Sequence, residues 1–130
     1  MVGKKKILVV EDNAASRNLI ALVLGRSGYD VAEATTGTDA IDQAHATHPD
    51  LIIMDLGLPE MTGDEATVRL KADPSTKDIP VIVNTALDRQ SALVARALAA
   101  GAAQVLYKPT PLKVFQEVAQ RYLSPNCAAC

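Results

Sequence analysis

Strand-length apolar runs alternate with helix-like segments along the whole chain, and this alternation most strongly limits the folds it can adopt. Strand–helix repeats join parallel strands through right-handed crossovers. Five such units in 130 residues predict an α/β fold with an open, doubly wound parallel sheet. The predicted strands are Lys6–Val10, Asp30–Ala34, Leu51–Met54, Val81–Asn84 and Gln104–Tyr107. All but the second are almost continuously apolar, which is typical of strands covered on both faces, whereas the more polar second strand fits an edge.

The segments between these strands carry start and stop signals of helices. Asn13 is a suitable N-cap for the first helix, and Gly28 is a suitable stop. The third helix opens with Thr62-Gly63-Asp64-Glu65, the pattern of a capping box in which Thr62 and Glu65 satisfy each other's amides. Asp88 is the predicted N-cap of the fourth helix. The five helices are expected at about Ala14–Ser27, Gly37–Ala46, Gly63–Lys71, Arg89–Ala100 and Leu112–Leu123.

The length of the chain predicts one domain, residues 1–123, followed by a flexible tail, residues 124–130. Both cysteines, Cys127 and Cys130, lie in that tail. Their C-A-A-C spacing suggests a redox or metal-binding pair, or a prenylation signal. The first usually needs a structured setting and the second a different last residue, so a tail without either function is the favoured interpretation.

Charge and hydropathy exclude several classes of partner. The net charge is −2, and Lys4–Lys6 is the only basic run, so no direct contact with nucleic acid is expected. Aromatic residues make up 3%, which argues against a base-stacking platform. No apolar run approaches the length of an export signal or a membrane span. We therefore predict a cytoplasmic protein without a membrane partner; His45 and His48 are predicted surface residues.

Polar residues follow the apolar strands at the points where they end. Glu11 and Asp12 follow the first strand, Asp55 the third, Thr85 the fourth, and Lys108 the fifth. The carboxyl ends of parallel strands share one edge of the sheet, so these groups should meet there. Three close carboxylates repel one another, and a set of oxygen ligands without His or Cys favours Mg²⁺ or Mn²⁺.

A carboxylate beside such a cation can attack phosphorus and form an acyl phosphate. The charge on the phosphoryl oxygens then needs a cation and a hydroxyl, which Lys108 and Thr85 can supply. Taken singly, each residue has an ordinary alternative: Asp12 in a loop, Asp55 in a turn, Thr85 at a strand end, Lys108 in solvent. Together on one edge, they indicate a phosphoryl-transfer site.

Several motifs in order give the chain, from about Lys5 to Leu123, a resemblance to the receiver domains of two-component response regulators. That resemblance implies a flavodoxin-like sheet with strand order 2-1-3-4-5. The matching stretches are Ile-Leu-Val-Val-Glu-Asp (7–12), Pro-Asp-Leu-Ile-Ile-Met-Asp-Leu-Gly-Leu-Pro (49–59), Met-Thr-Gly (61–63), Pro-Val-Ile-Val-Asn-Thr-Ala (80–86), Gly-Ala (101–102) and Lys-Pro (108–109).

The resemblance also implies roles for individual residues. Asp55 would be the phosphoacceptor. Mg²⁺ would be held by Asp12 directly, by Glu11 through water, by Asp55 and by the backbone carbonyl of Gly57. The switch and phosphoryl-binding residues would be Thr85, Ala86 and Lys108. Pro109 resembles the cis-proline of the family, which would orient the lysine.

By the same resemblance, a histidine kinase or a histidine phosphotransfer protein would supply the phosphoryl group. The domain would catalyse this transfer itself without being a turnover enzyme. Read as a stand-alone regulator, it would act by binding a protein partner or a second copy through helix four, strand five and helix five. One alternative is a phosphorylation-independent binding module of the same fold. A phosphatase is a weaker alternative, because aspartyl phosphatases usually carry the nucleophile after strand one and a second acid two residues on.

The sequence departs from the pattern of the resembled family at three places. Val105 stands three residues before the lysine, where the family often has an aromatic residue. Tyr107 lies on the same strand face, two positions along. Without the usual aromatic residue, either switching runs through Thr85 and the loop of the fourth helix alone, or valine fills the same space and the switch is insensitive to this position. Asp64 replaces a commonly apolar residue, with a favourable helix-dipole interaction as its predicted effect. Gly57 and Leu87 offer no polar side chain to an attacking water, which predicts slow self-dephosphorylation.

Overall fold

A computed structural model describes residues 4–123 and contains one five-stranded parallel sheet of order β2-β1-β3-β4-β5. This order confirms the predicted fold class and places β2 at one edge. The strands are β1 (Lys6–Val10), β2 (Asp30–Ala34), β3 (Leu51–Met54), β4 (Val81–Thr85) and β5 (Gln104–Tyr107). The predictions for residues 124–130, including Cys127 and Cys130, concern a segment that lies outside the described residues.

Alternating residues of the central strands face two separate layers of helices. The side chains of Ile7 and Val9 pack with α1 and α5, whereas those of Leu8 and Val10 pack with α2 and α3. A third cluster joins Val83 and Val105 to α4, on the α2–α3 side of the sheet. The helices are α1 (Ala14–Arg26), α2 (Gly37–Thr47), α3 (Gly63–Ala72), α4 (Ala92–Ala100) and α5 (Leu112–Leu123).

The central strands β1, β3 and β4 are buried almost throughout, as continuous apolar runs predict. All four residues of β5 are only half-buried, although its sequence is almost as apolar. The reason is position, since β5 is the second edge of the sheet and has a neighbouring strand on one side only. None of the helices within residues 4–123 combines the length and apolarity that a membrane span requires.

One predicted helix start and one predicted helix cap are wrong, whereas α3 begins at Gly63 as predicted. The fourth helix begins at Ala92 with Ser91 as its N-cap, three residues later than predicted. Asp88 instead closes a turn, because its carboxylate accepts from the Gln90 amide at 2.9 Å and its carbonyl from the Ser91 amide at 3.1 Å. The Asp88 carboxylate is therefore used in this turn and does not cap the helix as predicted.

The capping box predicted for α3 does not form. Thr62 occupies the N-cap position, but its side chain makes no capping hydrogen bond. The Glu65 carboxylate lies 3.0 Å from the Arg69 guanidinium, one turn further along the same helix. An i,i+4 ion pair has therefore replaced the reciprocal cap. The cap of α1 is confirmed, because the Asn13 side chain accepts from the Ser16 amide at 2.9 Å.

Candidate functional site

The ends of β1 and β3 bring three carboxylates together. Val10 and Met54 are paired in register, so the residues that follow them emerge side by side. The Asp55 amide continues the pairing by donating to the Val10 carbonyl at 3.0 Å. One carboxylate oxygen from each of Glu11, Asp12 and Asp55 can be chosen so that all lie within 4.8 Å of one another.

The three carboxylates differ in their contact with solvent. Glu11 and Asp55 are buried, with 3% and 7% of their surfaces exposed, and Asp12 is exposed. Two buried acids beside a third are costly unless cations compensate them. An all-oxygen donor set with one solvent-facing member is suited to a hard divalent ion that keeps several waters. The residues present therefore fit a Mg²⁺ ion.

Lys108, which follows β5, supplies a positive charge from within the protein. Its Nζ lies 2.6 Å from Glu11 Oε1 and 3.3 Å from Asp55 Oδ2. The Lys108 amide donates to the Thr85 carbonyl at 2.8 Å, which ties the end of β5 to that of β4. The Lys108–Pro109 peptide bond is cis. The ammonium thus bridges the two buried carboxylates.

Burial and ion pairing shift two pKa values at the site. Burial raises the pKa of the Glu11 carboxyl above its ordinary value, against the hydrogen bonds from Lys108 and the Asn13 amide. Burial alone lowers the pKa of the Lys108 ammonium. The hydrogen bond to Glu11 and the charge of Asp55 outweigh that effect, so the pKa of Lys108 is raised. The ammonium therefore stays charged at neutral pH.

The predicted switch residues lie at the end of β4. Thr85 is the last residue of the strand and is buried, with 1% of its surface exposed. Its hydroxyl oxygen accepts from the Leu87 amide at 3.1 Å. Ala86 is exposed at the start of the following loop. In register, Thr85 is opposite Tyr107, the residue before the lysine.

Main-chain contacts hold Asp55 from the β3–α3 loop. Its Oδ1 accepts from the Gly57 amide at 3.2 Å. The amide of Gly63, at the start of α3, donates to the Leu56 carbonyl at 3.0 Å. A Cβ atom at position 63 would collide with the Asp55 carbonyl oxygen. The backbone of α3 therefore lies directly against that of Asp55, and only glycine permits this approach.

Two contacts at this edge of the sheet involve residues with no role predicted from the sequence. The Arg17 guanidinium donates to the Glu11 carbonyl at 3.0 Å. The Thr110 hydroxyl donates to the side-chain oxygen of Asn84, a buried polar residue of β4, at 2.7 Å. The role of Asn84 could have been suspected from the sequence, because it is a polar residue inside an otherwise apolar strand. Arg17 looks like any other polar helix residue, and no pattern in its local sequence predicts its contact with Glu11.

Comparisons with known proteins agree with this geometry. The family described as response regulator receiver domain matches residues 7–120. The polar-differentiation response regulator DivK of Brucella ovis is 36% identical over 119 residues, covering 92% of this chain and 96% of that protein. The chemotaxis protein CheY of Thermotoga maritima is 37% identical over 107 residues, covering 81% and 86%.

Solved structures share the fold as well. The receiver domain of the sensor histidine kinase PA1611 from Pseudomonas aeruginosa is described with a magnesium ion in its active site cleft. It has a TM-score of 0.85 and 31% identity, and the match covers 95% of this chain and all of that one. The chemotaxis protein CheY4 of Vibrio cholerae also has a TM-score of 0.85, with 28% identity and coverage of 93% and 100%.

Proposed function

The chain belongs to the response regulator receiver domain family, and from that premise we propose that Asp55 accepts a phosphoryl group. The donor is a phosphohistidine of a sensor kinase or of a histidine phosphotransfer protein. An Asp55 carboxylate oxygen attacks phosphorus, the new P–O bond forms, and the P–N bond to the imidazole breaks. The leaving imidazole keeps the electron pair of the broken bond and takes up a proton from water. The product is an aspartyl phosphate.

The acidic cluster supports a divalent-cation requirement for this transfer. Asp12, Asp55 and the Gly57 carbonyl would hold Mg²⁺, and Glu11 would reach it through water. Mn²⁺ has similar preferences and would substitute. When bound, the ion neutralises charge on the phosphoryl oxygens during transfer. The solvent-facing position of Asp12 leaves an open side through which the donor can approach.

Lys108, Thr85 and Ala86 are the proposed phosphoryl-binding residues. The Lys108 ammonium already touches Asp55 and would exchange part of that contact for a phosphoryl oxygen. The Thr85 hydroxyl, now an acceptor for the Leu87 amide, would turn to donate to the phosphoryl group. Because Ala86 and Leu87 follow directly, that movement would carry the β4–α4 loop with it. Pro109 would keep the lysine oriented.

We further propose that the phosphorylated form changes its affinity for a protein partner or a second copy through α4, β5 and α5. A cytoplasmic location, where sensor kinases present their phosphohistidines, remains part of this proposal. The observation that carries the proposal is the junction of Glu11, Asp12, Asp55 and Lys108 at the ends of three strands.

The test is the intact mass of the protein after incubation with acetyl phosphate and Mg²⁺. We expect one phosphoryl adduct, lost on addition of a chelator and absent from the Asp55→Asn variant. Circular dichroism should show that this variant is folded. An adduct that persists in Asp55→Asn would move the acceptor to another residue. No adduct in the folded wild type, either with acetyl phosphate or with a phosphorylated histidine kinase, would favour a phosphorylation-independent binding module.

A further inference from the structure

The side chain of Arg17, in the first turns of α1, joins the edge of the sheet to the loop between β1 and α1. Its Nε donates to Glu33 Oε1 on β2, and its Nη1 donates to the Glu11 carbonyl oxygen, both at 3.0 Å. Only 16% of the Arg17 side chain is exposed. A guanidinium can make both contacts at once, because its donors lie in one rigid plane.

The carbonyl that Arg17 holds belongs to the same peptide unit as the Asp12 amide. A peptide unit is planar, so fixing its oxygen also fixes the direction in which the chain enters Asp12. After Asp12, the Asn13 amide donates to Glu11 Oε2 at 3.1 Å, and the Asn13 carbonyl accepts from the Arg17 amide at 2.9 Å. The peptide unit before Asp12 is thus held by the Arg17 side chain, and the chain just after Asp12 by the Glu11 carboxylate and the backbone of α1.

Glu11 and Asp12 depend on this anchor to different degrees. The Glu11 carboxylate is held independently by Lys108 Nζ and by the Asn13 amide at 3.1 Å. The Asp12 side chain is exposed, so the position of its carboxylate follows from its main chain. Loss of the guanidinium would therefore disturb Asp12 more than Glu11.

We infer that Arg17, held in place by Glu33, is the positioning residue that presents Asp12 to the divalent cation. The inference rests on the proposed function, because it assumes that Asp12 binds the ion. It assigns Arg17 no contact with the ion or with the phosphoryl group. Removing a residue that holds a metal ligand in place typically changes metal affinity by about 10- to 100-fold.

The positive charge of Arg17, taken alone, predicts the opposite change in Mg²⁺ affinity when the residue is replaced. This difference makes the inference testable. A cation next to the acidic cluster repels Mg²⁺, and removing it should tighten binding if electrostatics were its whole effect. Glu33 compensates that charge in the folded protein. Positioning predicts weaker Mg²⁺ binding on substitution, whereas simple repulsion predicts tighter binding.

The experiment is a Mg²⁺ titration of the unphosphorylated protein, followed by backbone amide shifts, with unfolding by urea measured in parallel. We expect Arg17→Gln to raise the Mg²⁺ Kd by about tenfold. Arg17→Lys keeps the charge but cannot span both acceptors, so its Mg²⁺ Kd should lie between those of the wild type and Arg17→Gln. Glu33→Ala should weaken binding, and Glu33→Gln, which retains an acceptor oxygen, should weaken it less. The matched control is Arg26→Gln, on an exposed turn at the other end of α1, which should leave the Kd unchanged.

The outcomes separate this inference from the proposed function. Wild-type protein that binds no Mg²⁺ would overturn both. Mg²⁺ binding that is equal or tighter in folded Arg17→Gln would overturn only the positioning role. A loss of stability with an unchanged Kd would show that the Arg17 contacts serve the fold alone, and would overturn the inference in the same way.

Discussion

At the scale of single residues, Gly63 is the position where a small change should reach Asp55, the proposed phosphoacceptor, most directly. Alanine there would place a methyl group against the Asp55 carbonyl, so either α3 or Asp55 must move. We expect Gly63→Ala to lower the free energy of unfolding by about 1–3 kcal/mol, a cost typical of overpacking. Urea denaturation measures this, and acetyl phosphate should also phosphorylate the variant more slowly.

Gly25, inside α1, is the matched control for that substitution. A Cβ atom at position 25 would have no neighbour within 4 Å. Gly25→Ala should therefore stabilise the protein by up to about 1 kcal/mol, because alanine is the better helix former. If both alanine variants had the same stability, steric contact at Gly63 would not be the reason for glycine there.

We also expect single residues to set the lifetime of the proposed aspartyl phosphate. Gly57 and Leu87, two positions after Asp55 and Thr85, carry no polar side chain that could orient a water for attack. We predict slow self-dephosphorylation, measured as decay of the phosphoryl adduct after the donor is removed. Gly57→Gln, which adds an amide without a new charge, should shorten the lifetime. A wild-type half-life of only seconds would contradict the prediction.

At the scale of elements, an ion pair between a buried carboxylate and a largely exposed guanidinium links α3 to α4. Asp64 has no exposed surface, and within residues 4–123 neither of its carboxylate oxygens forms a hydrogen bond, yet Arg96 Nη1 lies 3.1 Å from its Oδ2. The predicted dipole interaction is thus accompanied by a contact between helices that the local sequence did not suggest. Removing Arg96 alone leaves a buried carboxylate without a counter-charge.

We predict that Arg96→Ala costs about 2 kcal/mol or more of stability, because the charge on Asp64 stays buried. Asp64→Leu should be close to neutral, since an apolar residue fills the same space. In the Asp64→Leu background, Arg96→Ala should then cost little. Urea denaturation of the four proteins in this double-mutant cycle gives the interaction free energy between Asp64 and Arg96. Equal costs in both backgrounds would show that Arg96 stabilises α4 independently of Asp64.

A second contact between elements concerns the missing aromatic residue at position 105. Val105 and Tyr107 pack in the same cluster beneath α4, as strand alternation predicts. The Arg89 guanidinium lies 4.6 Å from the centroid of the Tyr107 ring, which joins the β4–α4 loop to β5. Tyr107 therefore has a physical route to that loop, so we expect β5 to take part in the switch despite Val105.

We predict that beryllofluoride, a phosphoryl mimic, changes the backbone chemical shifts of residues 104–107. Tyr107→Leu should reduce the changes, because it removes the ring that Arg89 contacts. Tyr107→Phe keeps an aromatic face and should preserve them. Unchanged shifts along β5 in the wild type, with clear changes around Asp55, would show that the switch bypasses this strand.

At the scale of the whole molecule, the doubly wound topology brings a mutually repelling acidic cluster to one edge of the sheet, where Mg²⁺ should stabilise the fold. At a concentration ten times its Kd, a ligand that binds only the native state adds about 1.4 kcal/mol. For a domain of this size, that should raise Tm by about 5 °C. Calorimetry with Mg²⁺ or with a chelator measures the shift, and Asp12→Asn should reduce it. An equal Tm in both buffers would argue against a site in the folded protein.

Much of the architecture follows from the sequence alone, because its signals are local. Apolar runs of strand length give the strand positions, and the strand–helix alternation gives a parallel sheet. Residues directly after those strands must then share an edge, so the meeting of Glu11, Asp12, Asp55 and Lys108 was predictable from spacing. The strand order 2-1-3-4-5 came from the resemblance of the motifs to a known family.

Only the tertiary structure determined the contacts between elements. The pairing of Arg17 with Glu33 and of Asp64 with Arg96 depends on how each helix is rotated against its neighbours, which no local pattern records. The two wrong details of the helix ends have a different, local cause, because neighbouring groups competed for the same side chains: Asp88 formed a turn, and Glu65 paired with Arg69 rather than completing a cap. Periodicity specifies which face of an element is buried, whereas the partner of a polar side chain depends on residues far away in the sequence.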